Sequence, residues 1–534
     1  MNALPLFLLA LPLCTETFPF GKSSDLACWK MEYGDWAVVD GALVQRDAGL
    51  DYAIAWLPAK AYGDLEMSVE FYVHPEGSGV RAPGLVYHAT GQKTFYYIHF
   101  DTRNRNTLWV RSTPQKRGTD VRRHRTRDLK TGQWQTARLI VRGNEHQVYL
   151  DDKLLFSEKD ETLKAGVVGL RTGQGKMAFR NFQIQGTETE PDTPFVFKKP
   201  PPPPRPAPFT IVCSDAGAGA YEAFPDVCRT KSGELLCVFY AGYGHVSNPN
   251  EKLPKGARIA MCRSSDDGRT WSRVEVVVDT PIDDRDASIV QLPNGELLVT
   301  FMNYDVRRPS GSHKTFTVRS TDSGKTWSEP KMVPTPFSQL VAISTPSRLM
   351  PDGRLLLTPY GNNTGDPRRY KHAAVLESRD LGQTWTTLAE IKTERPPLLE
   401  PDIVRLPDRL FVMMRPVMTW SESTDGGRTW SDPKGLGISG DCPYLLLTSK
   451  NILLCGIRHR PTRSTSVIYS TDFAKTWRGP VPVDNVGGAY PSMVELPDGR
   501  ILIVYYTEGK GSDVRCVWLK ADTSGIQVMG CRDR

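Results

Sequence analysis

Ser264-Ser-Asp-Asp-Gly-Arg-Thr-Trp271 returns as Ser320-Thr-Asp-Ser-Gly-Lys-Thr-Trp327, Ser378-Arg-Asp-Leu-Gly-Gln-Thr-Trp385 and Ser423-Thr-Asp-Gly-Gly-Arg-Thr-Trp430. All share S-x-D-x-G-x-T-W, and a fifth copy, Ser470-Thr-Asp-Phe-Ala-Lys-Thr-Trp477, carries Ala474 in the glycine position. The pattern reads as a hairpin turn. Ser and Asp side chains bind nearby backbone, Gly takes a positive φ, and Trp tucks under the turn as an apolar plug. Internal repetition of this kind decides architecture, because each repeat is one unit that buries its faces only against its neighbours.

A second repeat alternates with the first. Phe224-Pro-Asp-Val, Asp286-Ala-Ser-Ile, Thr345-Pro-Ser-Arg, Glu400-Pro-Asp-Ile, Cys442-Pro-Tyr-Leu and Tyr490-Pro-Ser-Met each open a strand that leads into a turn and an apolar strand such as Gly233-Glu-Leu-Leu or Gly499-Arg-Ile-Leu. Units of this kind, spaced by roughly 40 to 60 residues, match propeller blades of four strands. The expected fold is all-β, with a six-bladed propeller over residues 209–534.

Upstream, Asp64-Leu-Glu-Met-Ser-Val-Glu-Phe-Tyr-Val73, Arg138-Leu-Ile-Val-Arg142 and Gln147-Val-Tyr-Leu150 alternate apolar and polar residues, the period of half-buried strands. Residues 24–187 are expected to form a β-sandwich. In strand order and turn chemistry it resembles a concanavalin-like or laminin-G-like sandwich, whose common uses are glycan binding or packing against a catalytic domain. Residues 188–208, with five consecutive prolines, read as a stiff extended linker. Residues 1–17 open with an apolar run of export-leader length that lacks the usual basic start and small-residue cleavage site. The expected location is therefore secreted or periplasmic.

The 534 residues include 45 Gly and 41 Pro, which favours short strands and tight turns over long helices. Twelve Trp and 19 Tyr exclude a disordered chain. After the N-terminus no apolar stretch approaches the roughly 20 residues of a membrane-spanning helix. The charge of +7, from 67 basic and 60 acidic residues, points to acidic ligands without implying nucleic acid. Neither a phosphate loop nor a zinc-type Cys pair is present, so no metal or cofactor is expected. The ten Cys are scattered and read as buried fillers, with a disulfide or two if the chain is exported. Lys116-Arg117 and Arg122-Arg-His-Arg-Thr-Arg127 form a basic cluster in the sandwich, read either as an anionic-glycan contact or as a solvated loop.

The S-x-D-x-G-x-T-W repeats resemble the Asp-boxes (BNR repeats) of the sialidase (neuraminidase) superfamily, where they are structural. By repeat equivalence, Phe224, Asp286, Thr345, Glu400, Cys442 and Tyr490 should ring one height of the central funnel. Two carboxylates and a tyrosine in one ring suit glycosidic chemistry. Glu400 with Arg415 resembles the sialidase blade that carries the catalytic glutamate and one carboxylate-binding arginine, and Tyr490 resembles the nucleophile. A neutral tyrosine avoids repulsion from a substrate carboxylate on the anomeric carbon, and sialidases are an exception to the two-carboxylate rule. Arginine fits that carboxylate bidentately.

The chain departs from the family pattern in two places. Ala223 stands where the first anchoring arginine belongs, and Arg258 stands where the acid/base aspartate is expected. Asp286 is therefore the leading acid/base candidate, with Asp284 and Asp283 in reserve. Arg258 or Arg285 would replace the lost anchor, and Arg458, Arg460 and Arg463 compete for the remaining one. Tyr240, Tyr360 and Tyr506, placed like Arg415 in other blades, would offer sugar-stacking faces; His245 and His459 are weaker candidates. The resemblance implies an exo-glycosidase releasing sialic acid or a related acidic sugar from a glycan. Two other readings stay open: a non-catalytic carbohydrate-binding propeller, and a glycosidase or lyase acting on another acidic sugar. Oligomeric state is not legible.

Overall fold

The computed structural model describes residues 13–46, 52–75, 81–113, 120–190, 194–198, 209–305, 313–363, 371–393, 397–509 and 511–530. The chain divides into two compact units between Pro202 and Pro203. Pro191 and the proline-rich run Pro200–Pro208 of the expected linker, residues 1–12 of the expected leader, Lys116-Arg117 and Cys531 lie outside the described residues. No helix among the described residues is long and apolar enough to cross a membrane.

The first unit is a β-sandwich built on strand Ala53–Val73, whose 21 residues serve both layers. Its first part pairs with Gly166–Thr172, and its second with Trp134–Arg142 and Met177–Glu188. In Trp134–Arg142 the buried residues are Gln135, Ala137, Leu139 and Val141, the alternation expected of a strand with one face in the core. That core holds Phe71, Tyr87, Phe100, Trp109 and Phe179. The sandwich begins earlier than residue 24, because Leu13–Phe18 pairs antiparallel with Met177–Glu188, from Leu13 opposite Thr187 to Phe18 opposite Phe182. The expected leader overlaps this strand. Part of the expected linker is also no free spacer: Phe195 and Phe197 pack on the cluster around Trp56. Within the described part of the basic cluster, Arg122 and His124 are both on the Glu158 carboxylate and His124 stacks on Phe156 at 3.8 Å, while Arg123, Arg125 and Arg127 are exposed.

The second unit contains six antiparallel sheets in chain order, the six blades of a propeller. The first blade, for example, runs Tyr221–Arg229, Leu235–Gly242, Arg258–Ser264 and Glu275–Val278. Every residue of Leu235–Gly242 is buried, because a second strand is covered on both faces by adjoining blades and so must be apolar throughout. The ring closes on itself. Thr210–Cys213, the first strand of the unit, pairs with Val514–Ala521 of the last blade, so the two ends of the propeller sequence share one sheet.

The eight-residue repeats form turns between the third and fourth strands. In the first, Ser264 Oγ donates to Asp266 Oδ1 at 2.8 Å and accepts the Gly268 N–H at 2.9 Å, while Thr270 donates to both Asp266 oxygens. The glycines sit at φ between 82° and 96°, and Ala474 holds the same position at 68°, a left-handed conformation that costs a Cβ-bearing residue energy. Cys28, Cys213, Cys228, Cys237, Cys262, Cys442, Cys455 and Cys516 are not joined to one another in disulfides.

Candidate active site

Five of the six blade openings place their side chains by a shared backbone device. Inner strands shift register between Ala223 and Asp226, Arg285 and Ser288, Leu399 and Asp402, Asp441 and Tyr444, and Ala489 and Ser492. Inside those bulges Phe224, Asp286, Glu400, Cys442 and Tyr490 have φ of 52°, 51°, 50°, 46° and 44°. A bulge re-aims the side chain it contains, and left-handed backbone at a non-glycine residue costs about 1–3 kcal/mol. The proline after four of these residues disfavours right-handed helical backbone at the residue before it. Thr345 lacks the device, and its hydroxyl donates to the Pro401 carbonyl at 2.8 Å. All six nevertheless line one cavity.

Within it, the Tyr490 hydroxyl donates to Glu400 Oε1. The other oxygen, Oε2, accepts the Cys442 N–H at 3.0 Å and lies 2.9 Å from Arg415 Nε. Glu400 is buried and held from three blades. Burial first, and then the Glu400 charge, raise the Tyr490 phenol well above its ordinary value, so it is a neutral donor.

Asp286 is 6% exposed, and its Oδ1 has no hydrogen-bond partner among the described residues. Its Oδ2 accepts from Ser344 Oγ at 3.5 Å. Burial pushes its carboxyl up to about 7, against the pull of Arg285 and with a push from Glu400. The reserve acids are otherwise engaged. Asp284 points to the opposite strand face, where both oxygens accept from Thr280 N and Oγ1, so it is a turn-forming residue rather than a proton donor to the funnel. Asp283 is fully buried, accepts the Ser247 N–H at 3.3 Å and lies 3.7 Å from Arg285 Nη1.

The arginines sort themselves by reach. Arg415 spans Glu400 and Asp441, with Nη1 3.5 Å from Asp441 Oδ1. Arg458 covers the Tyr490 ring at 5.4 Å, and its Nε and Nη2 donate to the Gly488 carbonyl. Arg285 lies over Phe224 and Tyr240 and donates to the His245 carbonyl at 2.9 Å. It occupies in the second blade the slot that Ala223 occupies in the first, one residue ahead of the left-handed position. Arg258 is not brought to the ring and instead donates to the Ala216 carbonyl at 2.7 Å. Arg460 Nε lies 2.7 Å from Asp441 Oδ2, whereas Arg463 sits at left-handed φ on the hairpin beyond it.

Tyr240 and Tyr506 are fully buried and Tyr360 is 7% exposed, so none offers the stacking face expected from sequence. Tyr240 donates to the Gly244 carbonyl, and Tyr506 donates to Glu508 Oε2 at 2.8 Å while accepting from Arg458. His245 meets the Tyr221 hydroxyl at 3.2 Å and packs on Phe224, and burial lowers its titration. His459 Nδ1 pairs with Thr462 Oγ1 on the hairpin.

Sequence reasoning missed three charged groups. Asp441 precedes Cys442 in the slot that holds Arg285 in the second blade, so the repeat alignment contained its signal. Glu508, two residues past Tyr506, is exposed and accepts from Tyr221 and Tyr506, both at 2.8 Å. Lys371 is lowered by burial and by the neighbouring Arg415, and Glu400 opposes the shift. Neither of the last two lies on a repeat position.

Residues 256–503 match the BNR repeat-like domain family, and residues 16–185 match the 3-keto-alpha-glucoside-1,2-lyase-like domain family. No curated protein matches the chain. Among solved structures, a protein of unknown function from Dyadobacter fermentans is 21% identical, covering 60% of this chain and 100% of its own, with a TM-score of 0.51. A mutant of the NanB sialidase from Streptococcus pneumoniae is 14% identical over 86% of this chain and 95% of its own, with a TM-score of 0.49. The leech intramolecular trans-sialidase is 14% identical over 88% and 94%, with a TM-score of 0.44. At these identities the likeness is one of fold.

Proposed function

We propose that this chain, a BNR-repeat propeller preceded by a 3-keto-glucoside-lyase-like sandwich, is an exported exo-glycosidase that cleaves a terminal acidic sugar, sialic acid or a relative, from a glycan. The observation that carries the reading is the Tyr490–Glu400 hydrogen bond with Arg415 on the second Glu400 oxygen. A tyrosine is a weak nucleophile at its own pKa of about 10 and needs a base in contact.

In this reading Glu400 takes the phenolic proton as Tyr490 oxygen bonds to the anomeric carbon. The bond to the leaving oxygen breaks, and that oxygen receives a proton from Asp286. Asp286 then removes a proton from water, which attacks the anomeric carbon and expels Tyr490; Glu400 returns the first proton to the phenol. Asp286 suits both roles because a carboxyl near 7 is populated in both forms around neutral pH. Arg415 and Arg285 are assigned to the substrate carboxylate. Arg458 covers the Tyr490 ring and donates to Gly488 and Tyr506, so in this reading its role is to hold Tyr490.

A second reading, another acidic sugar such as a uronic acid, draws support from Ala223, which leaves the first blade without a cation at its anchor slot. Release of a fluorogenic aglycone from a sialoside and from uronic-acid glycosides, by purified full-length protein, decides between them. Turnover of neither, with tight binding of either sugar, would favour a carbohydrate-binding propeller.

A further inference from the structure

Asp441 belongs to no reacting pair, yet it is the carboxylate on which three guanidinium groups converge. Arg460 Nε stands 2.7 Å from its Oδ2, Arg458 Nη1 3.8 Å from the same oxygen, and Arg415 Nη1 3.5 Å from Oδ1. Its side chain is 2% exposed, against 24% for Arg415, 21% for Arg458 and 37% for Arg460, so the acid lies beneath the arginines that cover it. Two of those arginines lead in different directions. Arg415 continues to Glu400, and Arg458 continues to the Gly488 carbonyl and the Tyr490 ring. The structure assigns to Asp441 the role of a positioning residue that couples Glu400 to Tyr490 through Arg415 and Arg458.

Physical reasons support the assignment. A buried carboxylate with guanidinium groups close to both oxygens holds them by charge in a poorly screened site, and productive geometry tolerates errors of only about 0.5 Å. With the charge removed, like-charged Arg415, Arg458 and Arg460 repel at close range, and among the described residues Glu400 is the ion-pair partner left to Arg415. The backbone adds a fixed link, since Cys442, the next residue, donates its N–H to Glu400. Asp441 opens the bulge that carries Cys442, so its side chain and that N–H are set by one local conformation. The kinetic consequence rests on the glycosidase reading above; the geometric consequence does not.

Two measurements on full-length Asp441→Asn test the proposal. In its crystal structure Arg415 and Arg458 should leave their wild-type positions by more than about 0.5 Å while the bulge stays in place. With a fluorogenic sialoside or uronoside that the wild type turns over, kcat should fall about 30-fold or more, and KM should rise as well, because the displaced Arg415 is also the residue assigned to the substrate carboxylate. Asp441→Glu should recover part of kcat, and Arg460→Ala should lose little. Arginines that stay in place, or an unchanged kcat, would overturn the assignment. Failure of the wild type to turn over either glycoside would overturn the glycosidase reading while leaving the crystallographic comparison to decide this one.

Discussion

Asp286→Asn isolates the cost of burying an ionisable group at the centre of the funnel. Raising a carboxyl from 3.8 to about 7 corresponds to about 4 kcal/mol between folded and unfolded chains, at about 1.36 kcal/mol per pH unit. Because the folded value is the higher one, the protonated form supplies the stability. That contribution is whole below about pH 4, falls as pH rises through about 7, and is gone above it. Asparagine keeps the shape and cannot ionise. The variant should therefore gain on the wild type as pH rises, by little at pH 4 and by about 2–4 kcal/mol at pH 8. Asp284 and Glu222, raised to about 7, and Asp226, raised to about 6, titrate in both proteins and cancel in the difference. Urea titrations of full-length protein followed by tryptophan emission at both pH values measure it. A difference that is the same at pH 4 and pH 8 would refute the reasoning, because it would mean that Asp286 ionises in the fold as readily as in water.

Tyr490→Phe and Glu400→Gln should each remove most of kcat on any substrate found, and the double variant should be little worse than either, since groups that act as a unit are non-additive; multiplicative losses in steady-state rates would separate them. Arg415→Lys should weaken substrate binding by about 1.5–3 kcal/mol through loss of bidentate geometry, read as a KM change that vanishes on a carboxyl-reduced substrate. Asp286→Asn should slow glycosides with poor leaving groups more than activated aryl glycosides, with a burst of aryl alcohol if water attack becomes limiting; equal losses on both would make Asp286 a binding residue. Asp402→Ala strips the carboxylate that pairs bidentately with Arg348 and accepts the Leu445 N–H from the next blade, and should cost about 3–5 kcal/mol in chemical denaturation.

The fold was legible because its information is local and repeated. Each Ser-x-Asp-x-Gly turn closes with hydrogen bonds inside its own eight residues, and each buried second strand needs an unbroken apolar run, so the sequence by itself determined the turns, the six units and the ring position of Glu400, Asp286 and Tyr490. Equivalent slots in equivalent blades reach the same height whatever residue fills them. What an equivalent slot does not determine is which partner a long side chain finds, because an arginine reaches across blades that are distant in sequence. Arg258 and Arg285 looked interchangeable, and only packing sent one to the Ala216 carbonyl and the other over Phe224. The same holds for the tyrosines taken as open faces, which the neighbouring blades cover, and for Asp284, turned from the funnel to Thr280 by strand alternation. The tertiary structure alone decided that Asp441 lies beneath three arginines, since Arg415 reaches it from the preceding blade. Backbone pattern is written in nearest neighbours along the chain, and charge pairing is written in neighbours across it.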